Sequence, residues 1–181
     1  AGFLLGTLLG TLVAALLWWS ETLCRILDPY LVVLNALPKI ALGPILIVWI
    51  GSGIGSIIVM AVLVSLVVTI VTVLAGFRTE TVDKQFLMRT LGADKLQIFR
   101  LVVLPASVPT IVAALKISVS MSWVGVIVGE YLVSRAGLGF LIVYGGQVFK
   151  LDLVMTSIVV LCALAALMYY GVAFIEKKLT R

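Results

Sequence analysis

Long runs of apolar residues divide the chain into candidate membrane segments. Residues 3–19 form an apolar run that is just long enough to cross a bilayer at about 1.5 Å per helical residue. Residues 55–76 contain no charged side chain, and residues 106–131 and 152–175 are two further apolar segments. Because the apolar residues are continuous and do not alternate with polar ones, the pattern predicts transmembrane helices.

The pattern between residues 20 and 55 is less regular. A short polar break runs from Ser20 to Asp28. The apolar stretch after it is interrupted by Pro29, Pro38, Lys39 and Pro44. Because proline disturbs a helix interior, we expect an interfacial stretch that leads into a membrane helix at about 37–50, kinked near Pro44. The glycines of Gly51–Gly55 predict a tight turn. The prediction is an all-α, polytopic bundle of about five transmembrane helices.

Small residues recur at helical spacing in two of the segments. Gly2, Gly6 and Gly10 repeat every four residues, as do Gly125 and Gly129. Such stripes let a second helix approach closely. For the first stripe we favour packing within the molecule over a dimer interface.

The interval from Phe77 to Pro105 is the long polar stretch of the chain. It contains eight of the 21 charged residues: Arg78, Glu80, Asp83, Lys84, Arg89, Asp94, Lys95 and Arg100. Within it the pattern predicts two short amphipathic helices. The first is Val82–Leu91, closed by Gly92 at the position after the helix. The second is capped by Asp94, runs to about Val103 and stops at Pro105. Its apolar face would consist of Leu96, Phe99 and Val103.

The distribution of basic residues predicts the orientation. The interval 77–105 and the tail with Lys177, Lys178 and Arg181 are separated by two membrane segments, so both lie on one side, which we assign to the cytoplasm. The mixed, glycine-rich loop 132–150, with Arg135 and Lys150, would lie outside. Counting back places Ala1 outside, so we expect a preceding helix in a longer protein.

Composition supports the membrane assignment and excludes other classes. Hydrophobic residues make up 63% of the chain and charged residues 12%, with a mean hydropathy of +1.29, against roughly 45–50% and 25% in soluble domains. The net charge of +5 is a topology signal, and no soluble basic face is predicted for nucleic acid. There is no histidine, and Cys24 and Cys162 lie far apart, which argues against a metal site. No Gly-Lys-Ser/Thr phosphate loop and no nucleophile–base pair occur, so we expect no enzyme activity in this chain.

Several residues in the membrane segments are candidates for a translocation pathway. They are Trp49, Lys116, Ser118, Ser122, Trp123 and Glu130. The alternatives stay open: Glu130 is a solvated helix end or lines the pathway, and the serines line the pathway or pack helices. Lys116 snorkels to the interface, pairs with a neighbouring chain or attracts an anion.

The 77–105 interval resembles the signature loop of binding-protein-dependent ABC importer permeases. That signature is Glu-Ala-Ala, three residues, Gly, nine residues, Ile, one residue, Leu-Pro. Here Gly92 is followed, after nine residues, by Val102-Val103-Leu104-Pro105. The chain departs from the signature at Phe86-Leu87-Met88, which stand in place of Glu-Ala-Ala.

Further stretches resemble the branch that imports nitrate, sulfonates, taurine or thiamine-precursor pyrimidines. They are Pro38–Pro44, Trp49–Gly51, Trp123, Gly129-Glu130 and Gly137–Ile142. The resemblance covers roughly residues 30–178. It implies a type I (MetI-like) permease fold, with residues 1–181 as one transmembrane domain and 77–105 as its cytoplasmic coupling loop. The implied substrate is a small anion or organic solute, such as one of these compounds or bicarbonate.

The resemblance also implies partners. These are a cytoplasmic ABC ATPase dimer that binds ATP and Mg²⁺, a second permease copy in a homodimer, and a periplasmic or lipid-anchored substrate-binding protein, all at a bacterial inner membrane. This chain itself would hold no cofactor. The implied ATPase-coupling residues are Phe86, Leu87, Met88, Arg89, Gly92, Ala93, Asp94, Lys95, Leu104 and Pro105. Two alternatives are a secondary transporter built on broken helices, which would predict an inverted repeat, and a membrane assembly subunit without transport activity.

Overall fold

The computed structural model describes residues 1–79, 82–133 and 136–179, and this part of the chain is helical without a strand. The elements are α1 (Gly2–Trp19), α2 (Glu21–Ala36), a 3₁₀ turn (Lys39–Leu42), α3 (Gly43–Ile50), α4 (Ile54–Thr79), α5 (Val82–Thr90), α6 (Lys95–Ile98), a π-helical turn (Phe99–Val103), α7 (Leu104–Ala106), α8 (Val108–Val133), α9 (Leu138–Gln147) and α10 (Leu151–Leu179). Three charged residues named above, Glu80, Arg135 and Arg181, lie outside the described residues.

Four of the described helices are long and apolar enough to cross a membrane, and a bent pair makes a fifth candidate span. The four are Gly2–Trp19, Ile54–Arg78, Val108–Val133 and Leu151–Phe174. The bent pair joins α2 to the segment Lys39–Ile50. The predicted all-α bundle of about five spans is therefore confirmed.

Helix α4 lies at the centre of the bundle, between α1 and α8. The three glycines of the α1 stripe lie against Ala61, Ser65 and Thr69 of α4. The predicted use of this stripe for packing within the molecule is confirmed. Such close approach of two backbones maximises van der Waals contact between helices.

The second stripe brings α8 onto α4 beside α1, and Ala61 lies against a glycine of both stripes. A Cβ placed on Gly125 would lie 2.6 Å from the Cα of Ala61, and one on Gly129 would lie 3.0 Å from the Cα of Ile57. At both positions the added Cβ would meet backbone atoms first, and these cannot rotate away as a side chain can. The α4–α8 contact therefore depends on glycine more strictly than the α1–α4 contact does.

The polar stretch Ser20–Asp28 separates α1 from α2 at Ser20 and is helical from Glu21 onward. The hydroxyl oxygen of Ser20 accepts the backbone N–H of Leu23 at 3.3 Å, which caps the helix. In its first turn Arg25 donates to Glu21 at 2.8 Å. The polar residues Ser20, Glu21 and Arg25 therefore mark the start of a helix.

The predicted kink near Pro44 lies six residues earlier in the chain, at Pro38. The two helical segments on either side of this point meet at 83°. Leu37, before Pro38, has an extended ψ of 135°, as the residue before proline prefers. Pro44 instead occupies the first turn of α3, where its missing N–H costs nothing. The predicted turn after α3 is confirmed, with φ +91° at Gly51.

The glycine-rich stretch 132–150 was expected to be a loop, but most of its described part is α9. The residues between its glycines are apolar, and Phe140 stacks on Tyr144 one turn later at 5.8 Å. Such i, i+4 aromatic contacts support a helix. Helix α9 packs against α8 and α10.

Helix α4 ends at Thr79, shortly after the uncharged run 55–76, and Gly76 packs closely against Thr110. One predicted helix end is corrected, because the second helix of the interval does not stop at Pro105. A π-helical turn precedes it, in which the N–H of Leu104 donates to Phe99, and Pro105 falls within the first turn of α7. The buried face holds Val103 and Ile98, whereas Leu96 is exposed.

Candidate coupling surface

The first helix of the polar interval, α5, ends in a Schellman motif at Gly92. The N–H of Ala93 donates to Met88 and the N–H of Gly92 to Arg89, both at 3.0 Å. Gly92 has φ +82°, a conformation that glycine adopts without steric cost. The predicted closure of this helix by Gly92 is confirmed, and it makes a sharp turn into α6.

The next helix begins with a capping box. The Asp94 carboxylate accepts the N–H of Gln97 at 2.7 Å, and the Gln97 side chain accepts the N–H of Asp94 at 2.9 Å. This reciprocal pair satisfies two backbone donors at the helix start. The predicted capping role of Asp94 is confirmed, and the turn between the two helices is fixed at both ends.

An aromatic cluster anchors the interval to the ends of the membrane helices. The ring of Phe99 lies 5.0 Å from that of Trp18 on α1 and 5.8 Å from that of Phe77 on α4. Aromatic pairs at such distances contribute about 0.5–1.5 kcal/mol beyond their buried area. Lys95 reinforces the anchor, because its ammonium donates to the carbonyl oxygen of Trp19 at 2.6 Å.

Helix α5 therefore has an inner and an outer side. Met88 and the nearby Ala93 pack against the core cluster beneath them. Phe86 and Leu87 remain 70% and 60% exposed, and Leu91 at the end of the helix is 73% exposed. We name these three side chains the outer apolar patch. A patch of large apolar side chains on a rigidly held helix is typical of a surface that binds another protein.

The other predicted coupling residues are distributed around this patch. Arg89 is exposed on α5. Leu104 and Pro105 belong to the following helical segment, which leads away from α5 into α8. The structure thus brings Phe86, Leu87 and Arg89 together on one helix, and leaves Leu104 and Pro105 as part of its connection to the membrane.

Among the predicted pathway residues, Ser118 has a defined partner. Its hydroxyl is fully buried and shares a hydrogen bond with the hydroxyl of Thr69 at 2.5 Å. This bond joins α8 to α4 in the centre of the bundle. Thr69 was not predicted from the sequence as a site residue. It lies one helical turn after Ser65, and both residues contact the glycine stripe of α1.

Ser122 and Trp123 line a cavity of about 190 Å³ beside Phe3 and Met168. The hydroxyl of Ser122 and the indole N–H of Trp123 are buried, and neither has a hydrogen-bond partner in the described part of the chain. Unpaired buried polar atoms are uncommon in folded proteins. The residues that carry these two donors line an apolar cavity, and the donor atoms themselves are buried beside it.

Lys116 and Trp49 occupy different surroundings. The ammonium of Lys116 lies 5.8 Å from the centre of the Tyr169 ring on α10, within the range of a cation–π contact. Trp49 is 79% exposed near the end of α3. The structure does not bring Trp49 together with Lys116 or with the Ser122 cavity.

Glu130 connects α8 to α9. Its carboxylate accepts the backbone N–H of Gly139 at 2.8 Å, in the first turn of α9. A Cβ on Gly137, whose φ is +121°, would lie 2.5 Å from that carboxylate. Neither interpretation of Glu130 from the sequence anticipated this contact. The sequence contains an indication of this contact. A carboxylate precedes Gly137-Leu138-Gly139, where α9 starts, and a helix start attracts a negative charge.

Comparisons with known proteins place these features in a family. Residues 6–181 match the family described as "binding-protein-dependent transport system inner membrane component". The chain is 32% identical over 171 residues to a probable ABC transporter permease protein of Haemophilus influenzae, covering 94% of this chain and 70% of that protein. It is 28% identical to the taurine transport system permease protein of Escherichia coli, covering 96% of this chain and 63% of that protein.

A third relative is the formylaminopyrimidine transport permease protein of Halalkalibacterium halodurans, 33% identical over 77% of this chain and 56% of that protein. The chain thus spans between 56% and 70% of the length of these relatives. The fold is similar to a chain of the MetNI methionine ABC transporter in an inward-facing conformation, with a TM-score of 0.83, 21% identity and coverage of 100% and 92%. The chain belongs to the family of binding-protein-dependent transport system inner membrane components and is a permease subunit of an ABC importer.

Proposed function

We propose that this permease couples substrate transport to a separate cytoplasmic ATPase through α5. The observation that carries the proposal is the division of α5 into an anchored inner side and an exposed outer apolar patch. Met88 packs α5 against the core cluster, and the turn at Gly92 joins α5 to the segment whose Phe99 contacts α1 and α4, so a push on α5 from outside would reach these two helices. A loop without such contacts would move by itself and would leave α1 and α4 in place.

The chemistry of the contact follows from the residues in place of Glu-Ala-Ala. With Phe86, Leu87 and Met88 there, no carboxylate is available at these positions. Contact with the ATPase then relies on burial of Phe86 and Leu87, and on the exposed guanidinium of Arg89. Burying a large apolar side chain contributes about 1.5–3 kcal/mol, so two such side chains compensate for a missing ion pair.

The assembly we propose is a homodimer of permeases with an ATPase dimer on the cytoplasmic side and a substrate-binding protein on the outer side. The interval 77–105 and the C-terminal tail face the cytoplasm, in agreement with their basic residues. Rigid-body motion of the ATPase dimer then alternates access to the pathway.

The substrate we propose is a small anion or organic solute. The names of two relatives, permeases for taurine and for formylaminopyrimidine, support this class. Within the chain, the Ser122 hydroxyl and the Trp123 indole N–H supply donors beside an apolar cavity. Donors of this kind suit sulfonate, carboxylate or ring acceptor atoms.

The experiment compares Leu87→Asp with Leu87→Met in the complete transporter. Leu87 is 60% exposed, so neither change disturbs the core. Leu87→Asp is expected to abolish co-purification of the ATPase and uptake of the substrate, while membrane insertion is retained. Leu87→Met keeps volume and apolarity and is expected to preserve both. Unchanged uptake and co-purification in Leu87→Asp would contradict the proposal and favour an assembly subunit or a secondary transporter.

A further inference from the structure

A cationic cavity lies beside α5, at the end of the bundle where the polar interval meets the membrane helices. Its volume is about 420 Å³. The described residues that line it are Leu17, Trp18, Glu21, Arg78, Val82, Gln85, Phe86, Arg89 and Lys95. They come from α1, α2, α4, α5 and α6, so the cavity is built by the tertiary fold and not by one loop.

Among the described residues, the charges that line the cavity do not cancel. The described lining contributes the cations Arg78, Arg89 and Lys95 and one carboxylate, Glu21. That carboxylate is already bound to Arg25 at 2.8 Å. Arg78 and Arg89 line the same cavity as Glu21, from α4 and α5 respectively. An anion in this space would complete the charge balance.

The cavity also has an apolar wall. Leu17 and Trp18 belong to the last turn of α1, a membrane span, and Trp18 forms part of the aromatic cluster. Tryptophan at a helix end is typical of the boundary between hydrocarbon and headgroups. The cavity therefore lies at headgroup depth, with cations and an amide on one side and the apolar side chains of Leu17 and Trp18 on the other.

We infer that this cavity binds a phosphate group, and that the group reaches it from an anionic phospholipid of the adjoining leaflet. Guanidinium groups bind phosphate oxygens with two parallel hydrogen bonds, and basic pockets between membrane helices accept anionic headgroups. The apolar wall accommodates the start of the acyl chains. A bound headgroup would bridge α1, α4 and α5 and so reinforce the attachment of α5 to the bundle.

The test titrates the purified full-length permease in detergent with dioctanoyl-phosphatidylglycerol, dioctanoyl-phosphatidylcholine and inorganic phosphate, and counts bound molecules by native mass spectrometry. Arg78→Gln removes a cation of the cavity, Arg78→Lys keeps its charge, and Arg100→Gln removes an exposed cation of the same interval that does not line the cavity. Size-exclusion profiles confirm that the variants are folded.

We expect phosphatidylglycerol to bind in preference to phosphatidylcholine. Loss of one charge-assisted contact should weaken binding about tenfold in Arg78→Gln, with most of the affinity retained in Arg78→Lys and all of it in Arg100→Gln. Inorganic phosphate binding with the same dependence on Arg78, and no advantage for phosphatidylglycerol, would support the phosphate site and assign it to a soluble ion.

Two results would overturn the inference. One is equal loss of binding in Arg78→Gln and Arg100→Gln, which would show attraction by net charge alone. The other is unchanged binding of every probe in Arg78→Gln, which would show that the cavity holds no phosphate group. Because binding is measured on the permease without the ATPase, failure here is distinct from failure of the coupling proposal.

Discussion

The carboxylate of Glu130 near the end of α8 accepts the backbone N–H of Gly139 in α9, and this 2.8 Å bond joins two helices across a turn. Gly137 makes the contact possible, because any side chain there would occupy the position of the carboxylate. A charged group in a membrane segment is thereby used to fix the start of the next helix, where the N–H groups lack partners within the helix.

Gly137→Ala should therefore destabilise the protein. Its φ of +121° and ψ of 166° fall in a region open almost only to glycine, and the cost of such backbone strain is about 1–3 kcal/mol. The measurement is the thermal unfolding temperature in detergent. Gly146→Ala is the matched control in α9, since no atom lies within 4 Å of its Cβ position. Equal unfolding temperatures for the two variants would contradict the role of Gly137.

Gly125→Ala should destabilise the contact between α8 and α4. The added Cβ meets the backbone of Ala61 at 2.6 Å, and backbone cannot rotate away as a side chain can. Overpacking of this kind costs about 1–3 kcal/mol. Gly171→Ala, in α10 with open space around the Cβ position, serves as the control. Comparable yields and unfolding temperatures for both variants would show that the two helices separate more easily than the structure indicates.

The buried bond between Thr69 and Ser118 should be measurable in a double-mutant cycle of Thr69→Val and Ser118→Ala. Hydrogen bonds between membrane helices contribute about 0.6 kcal/mol on average and up to about 1.7. Because both hydroxyls are buried, we expect the coupling free energy near the upper end of that range. Denaturation in mixed detergent gives the four stabilities. A coupling free energy of zero would mean that the two hydroxyls do not stabilise the bundle through each other.

Replacement of Gly92 separates backbone strain from surface chemistry in the α5–α6 turn. The φ of Gly92 is +82°, and no atom lies within 4 Å of its Cβ position. Gly92→Ala should therefore cost about 1–2 kcal/mol from conformation alone, and Gly92→Asn less, since asparagine tolerates this region. Protease sensitivity of the interval 77–105 is the measurement. If a steric contact, and not the positive φ, required glycine here, Gly92→Asn would be more disruptive than Gly92→Ala.

The extent to which the sequence predicted the fold can be judged from particular elements. Continuous apolar runs identified the membrane spans correctly because bilayer thickness imposes their length. The closure of α5 by Gly92 and the capping of α6 by Asp94 were predicted correctly, because helix ends have local chemical requirements. The bend at Pro38 and helix α9 were missed, since proline tolerates several positions and glycines within an apolar helix resemble a loop.

The candidate site was only partly accessible from the sequence. Phe86 and Leu87 of the outer apolar patch were named as coupling residues through the family resemblance, and the period of the interval alone did not indicate that they are exposed. The cationic cavity was not predicted, because its lining residues range from Leu17 to Lys95 and meet only in the folded protein. The same holds for the Thr69–Ser118 and Glu130–Gly139 bonds, which join residues on different helices.

The most direct test of the coupling role of α5 is site-specific photo-crosslinking in the assembled transporter. A benzophenone amino acid is placed at Phe86, which is 70% exposed, and in a control protein at Leu4, which is 66% exposed on α1. We predict a crosslink from position 86 to the ATPase subunit, altered when ATP closes the ATPase dimer, and none from position 4. Transport-competent complexes that give no ATPase crosslink at position 86 would contradict the central claim.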